Sequence, residues 1–407
     1  MKPFFLLVSF LIPVFLLGQG ATKITSGLRI KTTGNCFVVV ETLDLENDGT
    51  IQQSSGGTVV FSGNTTKEVK GNGVSEFYNI LINKQTGSSL ILYKNISTAG
   101  DFTLTEGDLE LKPGYRLSVA GNAAFNDNNV VLNSDASGTS SFGVFGGTVT
   151  GAKNVNVNLY IPAGRKWRTV SVPLKGTINN TVFYHWQNNG GTAVPGTGAL
   201  LWKPGGTFIN GNGYSNGGSA ANLLIYNSGF SSPANTKSAA PLFSASGAIP
   251  YLIFLTDSYQ AIDGAGNIAS GASATTLKSH GELFTGSLNR TGLGTGFHFL
   301  ANPYPSAIDF SQLSRSSGIA NKFWIWDPKL FGFGGYGGYV VTSNGESTPL
   351  GGSFNSNTTV IPHGAAFWIY STGTNQSVGF TETAKTANDY SVFGRVTGEN
   401  QRLRINL

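Results

Sequence analysis

Val59-Val60-Phe61, Ile80-Leu81-Ile82, Phe102-Thr103-Leu104 and Ala123-Ala124-Phe125 recur about every 21 residues. A second series, Leu90-Ile91-Leu92, Leu109-Glu110-Leu111 and Val130-Val131-Leu132, keeps a similar step, and Ile96 with Leu117 opens a third. In Phe102-Thr103-Leu104-Thr105 and Leu117-Ser118-Val119, apolar and hydroxyl side chains alternate with the two-residue period of a half-buried strand. Strands this short bury their apolar side only by stacking on copies of themselves. The period therefore predicts a β-solenoid over residues 21–150. Thr86-Gly87, Lys112-Pro113-Gly114 and residues 126–129 are turn formers placed at its corners. The coils before Val59 are less regular and read as a capping segment.

Outward from the repeat, residues 1–20 read as a secretory signal peptide. Lys2 precedes an apolar run over 4–17 that is too short for a membrane span, and Gly18-Gln19-Gly20 offers small residues for cleavage before Ala21. No later stretch approaches a membrane span, so the chain is expected to be secreted or held at the outer cell surface. Only 12% of its residues are charged, while 56 are glycine and 12% aromatic. Long charge-rich helices cannot be built from this composition, and the predicted class is all-β. The net charge of +5 is scattered, without the dense basic stripe of a nucleic-acid site. Arg165-Lys166-Trp167-Arg168 is the densest cluster and reads as a solvated edge strand. Cys36, the single cysteine, can form no internal disulfide and reads as a small core hydrophobe in a buried strand over 36–40.

Beyond Phe142-Gly143-Val144-Phe145-Gly146-Gly147 the strands lengthen and Gly/Asn/Ser loops separate them, which predicts a β-sandwich-like domain over 151–407. Its strand candidates lie at 167–172, 182–186, 200–202, 223–226, 251–255, 297–300, 323–326, 339–341, 366–370 and 378–380. Ser306 and Asp309 are placed to cap one short helix. Trp167 to Pro173 and Phe297 to Pro303 echo each other in spacing and polarity.

Four blocks in this half carry a family resemblance. They are Tyr160-Ile161-Pro162-Ala163-Gly164-Arg165-Lys166-Trp167-Arg168 with Ser171-Val172-Pro173, the run Ala301-Asn302-Pro303-Tyr304-Pro305-Ser306-Ala307-Ile308-Asp309-Phe310, Trp324-Ile325-Trp326-Asp327-Pro328, and Ile361-Pro362-His363-Gly364-Ala365-Ala366-Phe367-Trp368. Together they resemble a recurrent region of large secreted or cell-surface β-rich proteins of Bacteroidota, typically cargo of the type IX secretion system. The resemblance implies an address and an architecture, with the secretion machinery as a partner, and no defined activity. Such proteins usually end in a C-terminal sorting domain. Here Gln401-Arg402-Leu403-Arg404-Ile405-Asn406-Leu407 reads as the first strand of a further module, so the sandwich is expected to be truncated.

Signals for chemistry are sparse. Gly213-Tyr214-Ser215-Asn216-Gly217 matches a nucleophile elbow but sits in a Gly/Asn tract with no helix pattern after it. His185, His280, His298 and His363 are isolated in sequence, and no carboxylate pair stands out for glycosidase work. No catalytic residue, metal ligand or cofactor is expected, apart from calcium as a loose candidate at Asp44-Leu45-Glu46-Asn47-Asp48-Gly49 or Asp263-Gly264-Ala265-Gly266-Asn267. The aromatic residues Trp324, Trp326, Tyr336 and Tyr339 are the best binding candidates. The two tryptophans share one strand face, and planar rings stack on the apolar faces of sugars, with Asp327 or Asn302 as hydrogen-bonding neighbours. Against this, tryptophans at alternating strand positions more often belong to the core. The expected function is a structural or adhesive surface protein, not an enzyme, whose partners are extracellular polysaccharide or other surface proteins. The alternative is a carbohydrate-binding module of a larger secreted enzyme.

Overall fold

A computed structural model describes residues 5–8, 14–15, 21–41, 43–176, 180–188, 198–208, 211–244, 247–255, 274–331, 335–354 and 356–388. Most of the expected signal peptide, the Asp263–Asn267 calcium candidate and residues 401–407 lie outside them. Within residues 1–20, Phe5–Val8 and Val14–Phe15 are strands beside Arg29–Thr32 and Phe37–Val40.

The protein is all-β. Its N-terminal part is a β-solenoid of about 6 turns of about 21 residues, built as three parallel sheets. The sequence triplets are its rungs: Val59 faces Ile80, Ile80 faces Phe102, and Phe102 faces Ala123. Leu90, Leu109 and Val130 stack likewise in the next sheet, as do Ile96 and Leu117 in the third. Alternation sends Leu104, Leu109, Leu111 and Leu117 fully inside. Each such side chain stabilises the coil by roughly 1.5–3 kcal/mol relative to exposure. Phe102, Phe125, Phe142 and Phe145 form a ladder of rings through the later coils, with neighbouring centroids 5.4–5.7 Å apart.

Polar side chains tie the corners. Asn79 Oδ1 accepts the amide of Asp101 at 2.8 Å, Asp101 Oδ1 that of Asn122 at 2.7 Å, and Asn122 Oδ1 that of Thr148 at 3.0 Å. Each coil thus satisfies a donor of the next.

Strand Val155–Ile161 is the last rung of one solenoid sheet and the first strand of the C-terminal half. It pairs in parallel with Val130–Leu132 and antiparallel with Thr275–Leu283 along its whole length. A second joint lies at Ser141–Phe145. There the amide of Phe142 donates to Pro305 O at 2.9 Å and that of Phe145 to Glu382 Oε2 at 3.2 Å. Lys385 Nζ, buried and pulled down to about 8 by desolvation, meets Glu382 at 2.6 Å and donates to Gly143 O at 3.1 Å.

The C-terminal half is a sandwich-like stack of antiparallel sheets. A four-stranded sheet comprises Lys166–Val170, Tyr251–Leu255, Leu223–Tyr226 and Phe230–Ser231. A five-stranded sheet comprises Gly296–Ala301, Ala366–Ser371, Ile319–Asp327, Gly338–Ser343 and Glu346–Thr348. The two echoing segments converge on one point. Val170 is bridged to Ala365, and Asn302 N–H donates to Ala365 O. Ser171 Oγ donates to Ala365 O at 2.9 Å and Asn302 O at 3.3 Å.

Four local expectations are corrected. Residues 183–187 form a single π-helical turn instead of a strand, with His185, Trp186 and Gln187 buried. Around Ser306 the chain is a strand, Ala307–Asp309, leading into a 3₁₀ turn, Phe310–Gln312, which Asp309 alone caps. Ser306 is instead fully buried and accepts from Arg116 Nη2 at 3.0 Å. Cys36 is half-buried at a corner ahead of strand Phe37–Val40. Arg168 is 1% exposed, not solvated. Its guanidinium donates to the carbonyls of Lys166 and Pro162, both at 3.0 Å, and strand Lys166–Val170 packs against Ile319–Asp327 and Ala366–Ser371 of the five-stranded sheet. Burial pulls it down to about 10, still charged at neutral pH.

Candidate functional site

Alternation in the five-stranded sheet separates two chemistries. Leu300, Phe367, Ile369, Phe323, Ile325 and Val340 point to the core and are buried. The opposite face carries Phe297, Phe299, Trp368, Tyr370, Trp324, Trp326 and Tyr339. Register brings these rings into lateral pairs: Trp324 opposite Trp368, Trp326 opposite Tyr339, Phe297 opposite Tyr370 and Phe299 opposite Trp368. Such cross-strand pairs are the stabilising unit of a sheet.

The face is partly roofed by Leu223–Tyr226 and Phe230–Ser231 of the four-stranded sheet. Tyr226 stands edge-on to Trp368 at 4.6 Å, and Phe230 packs against the same indole at 5.7 Å. Beside this roof lies an open cleft of about 290 Å³, lined by Tyr226, Phe297, Trp324, Tyr339 and Trp368. Its rings are mutually near-perpendicular: Phe297 meets Trp324 at 76° and Trp368 at 90°. Trp368 Nε1 donates to the Tyr339 hydroxyl at 3.1 Å, which fixes both rings. Phe297 remains 48% exposed, whereas Trp368 is 7% exposed.

Two of the four residues singled out from the sequence, Trp324 and Tyr339, line the cleft. Trp326 is buried edge-on against Tyr339 at 4.9 Å and supports the wall. Tyr336 lies elsewhere, against Phe254 at 5.4 Å, and its carbonyl accepts from Trp167 N–H. Phe297, Trp368 and Tyr226 were missed. Aromatic residues alternating within the strand candidates at 297–300 and 366–370 carried a signal for the first two. Tyr226 reaches the cleft only through tertiary packing.

The polar neighbours proposed from sequence are structural. Asn302 is fully buried, with Nδ2 donating to Ser306 O and Pro362 O. Asp327 is also fully buried and accepts the amides of Lys329 and Ser353. Burial pushes its carboxyl up, against those hydrogen bonds. Ser215 lies in the two-residue strand Ser215–Asn216 paired in parallel with Trp202–Lys203, not on a strand-to-helix elbow. Asp44–Asn47 is a strand instead of a loop: Asp44 accepts the amide of Glu68, Asp48 just beyond it accepts that of Asn72, and Glu46 pairs with Lys23. These carboxylates are committed to coil stacking. No group of three or more His, Cys, Asp or Glu is gathered for a metal among the described residues. His185 accepts from His280 N–H at Nδ1, and burial, with His280 beside it, pulls it down to about 4. It is neutral at physiological pH.

No protein-family model, curated protein or solved structure matches this chain. No helix among the described residues is long and apolar enough to cross a membrane.

Proposed function

We propose that this protein is an exported, surface-displayed adhesive scaffold. In this reading the β-solenoid is a stalk, the sandwich is a head, and the aromatic cleft is where the head touches its partner. The observation that carries it is the open five-ring cleft, four rings from an outer sheet face and Tyr226 from the roof beside it. Large rings normally go inside, and an open cluster of them is the signature of a contact surface. The cleft supplies contact area and one engaged hydroxyl, which suits attachment better than proton transfer. The leader-like residues 1–20 and the resemblance to Bacteroidota surface proteins support export, through the type IX machinery.

The test is retention of beads coated with the chain starting at Ala21 on polysaccharide-bearing and protein-bearing surfaces. Phe297→Ala and Trp324→Ala should each reduce retention. Equal retention by wild type and both variants would remove the cleft from the reading. A second reading, a carbohydrate-binding module of a larger secreted enzyme, draws on the same cleft. Hydrolysis of polysaccharide by the native full-length product separates them, because that reading requires a catalytic module on the same polypeptide.

A further inference from the structure

We infer that the aromatic cleft binds a neutral, gluco-configured pyranose unit of a polysaccharide. The inference rests on reading the cleft as the contact point and adds what fills it. Four lining rings come from the face of the five-stranded sheet and Tyr226 comes from the hairpin of the other sheet, so an occupant meets rings on more than one side. A pyranose with only equatorial hydroxyls presents C–H groups on both faces and its hydroxyls around the rim. Its C–H faces complement the negative faces of the rings, while the hydroxyls stay in water at an open cleft. An axial hydroxyl would press oxygen into a ring on one side. The volume of about 290 Å³ lies at the small end of ligand sites and suits about one or two sugar rings.

Charge points the same way. None of the five lining side chains is charged, so the carboxylate of an acidic sugar would gain no counter-charge there, and a neutral sugar gives up nothing by lacking one. A peptide is the other occupant of aromatic grooves. Its amides would lie over ring faces, on a sheet whose own backbone groups are paired laterally in the ladder, and would go unsatisfied.

The experiment is calorimetric titration of the chain starting at Ala21 with β-1,4-glucohexaose, hexagalacturonate and a proline-rich dodecapeptide. Phe297→Ala and Trp324→Ala are run in parallel, with circular dichroism and urea unfolding as controls. Phe297 is the safer variant because its ring is half in solvent. The expected result is binding of the neutral glucan alone, weakened about tenfold or more in a variant that unfolds like wild type. Glucan binding unchanged in both folded variants overturns the inference. So does binding of only the acidic sugar or the peptide, or of none of the three. If the variants still lose bead retention in those cases, the cleft remains the contact point and only its ligand class is wrong. If retention is also unchanged, the contact-point reading fails too.

Discussion

The indole nitrogen of Trp368 donates to the hydroxyl of Tyr339 at 3.1 Å, across two strands that are not neighbours in the sheet. Strand Ile319–Asp327 runs between them, so this bond spans a rung and locks the wall of the cleft. Burial pushes the Tyr339 phenol up, despite the hydrogen bond to Trp368, and keeps it protonated at neutral pH.

Tyr339→Phe should therefore keep the ring contact with Trp326 but leave the mostly buried indole N–H without its acceptor. The expected loss is about 1–3 kcal/mol in urea unfolding, with the β spectrum unchanged. No loss would mean that the indole finds water at the cleft mouth.

The corner ladder predicts a cost for a solvent-facing side chain. Asp101→Ala removes the oxygen that accepts from the Asn122 amide and should lower stability by about 0.5–2 kcal/mol. Asp101→Asn retains an acceptor and should recover most of that loss. A comparison of unfolding midpoints at one urea slope settles the point.

Two glycines separate backbone strain from crowding. Gly71 and Gly87 both have positive φ, at 96° and 83°. A Cβ on Gly71 would lie 2.4 Å from Asn47 O in the coil below, whereas one on Gly87 would meet nothing within 4 Å. Gly87→Ala should cost about 1 kcal/mol. Gly71→Ala should cost clearly more, because the coils cannot close up. Equal losses in thermal denaturation would show that the stack yields at that corner.

Lys84 is buried in the solenoid, with Nζ donating to Ser62 O at 2.9 Å, and burial pulls it down to about 8. In the unfolded chain it titrates near 10.5. Between these values the unfolded state holds more protons, so stability rises with pH from about 8. Above pH 10 the buried Tyr251 phenol, pushed up by desolvation, works in the opposite direction. Wild type should therefore gain about 2 kcal/mol between pH 8 and 10 from this amine, and Lys84→Met should flatten the curve. An unchanged slope in the variant would place the gain elsewhere, with Lys385 next to test.

Much of the fold was legible because it is periodic. In the solenoid each residue's neighbour is its counterpart one coil away, so the triplets at Val59, Ile80, Phe102 and Ala123 announce their own pairing. In the sandwich half the strands at 251–255, 323–326 and 366–370 were visible for another local reason, their short continuous runs of large apolar side chains. Residues 182–186 misled because Val-Phe-Tyr-His-Trp has strand propensity, while packing against Thr275–Leu283 winds it into a π-turn. Arg168 misled because charge alone suggests solvent. Only the folded chain supplies the carbonyls of Lys166 and Pro162 that satisfy it inside.

The sequence by itself determined the β class, the coil period, the corners and the shared face of Trp324 and Trp326. These depend on short-range periodicity and on the steric habits of Gly, Asn and Pro. The tertiary structure alone decided that Tyr226 meets Trp368 and that Trp326 is wall while Phe297 is rim. It also decided that Tyr336 stands apart and that Lys385 joins the solenoid to the sheets that follow it. Those contacts link strands distant along the chain, and no local pattern records which sheet will be laid over which.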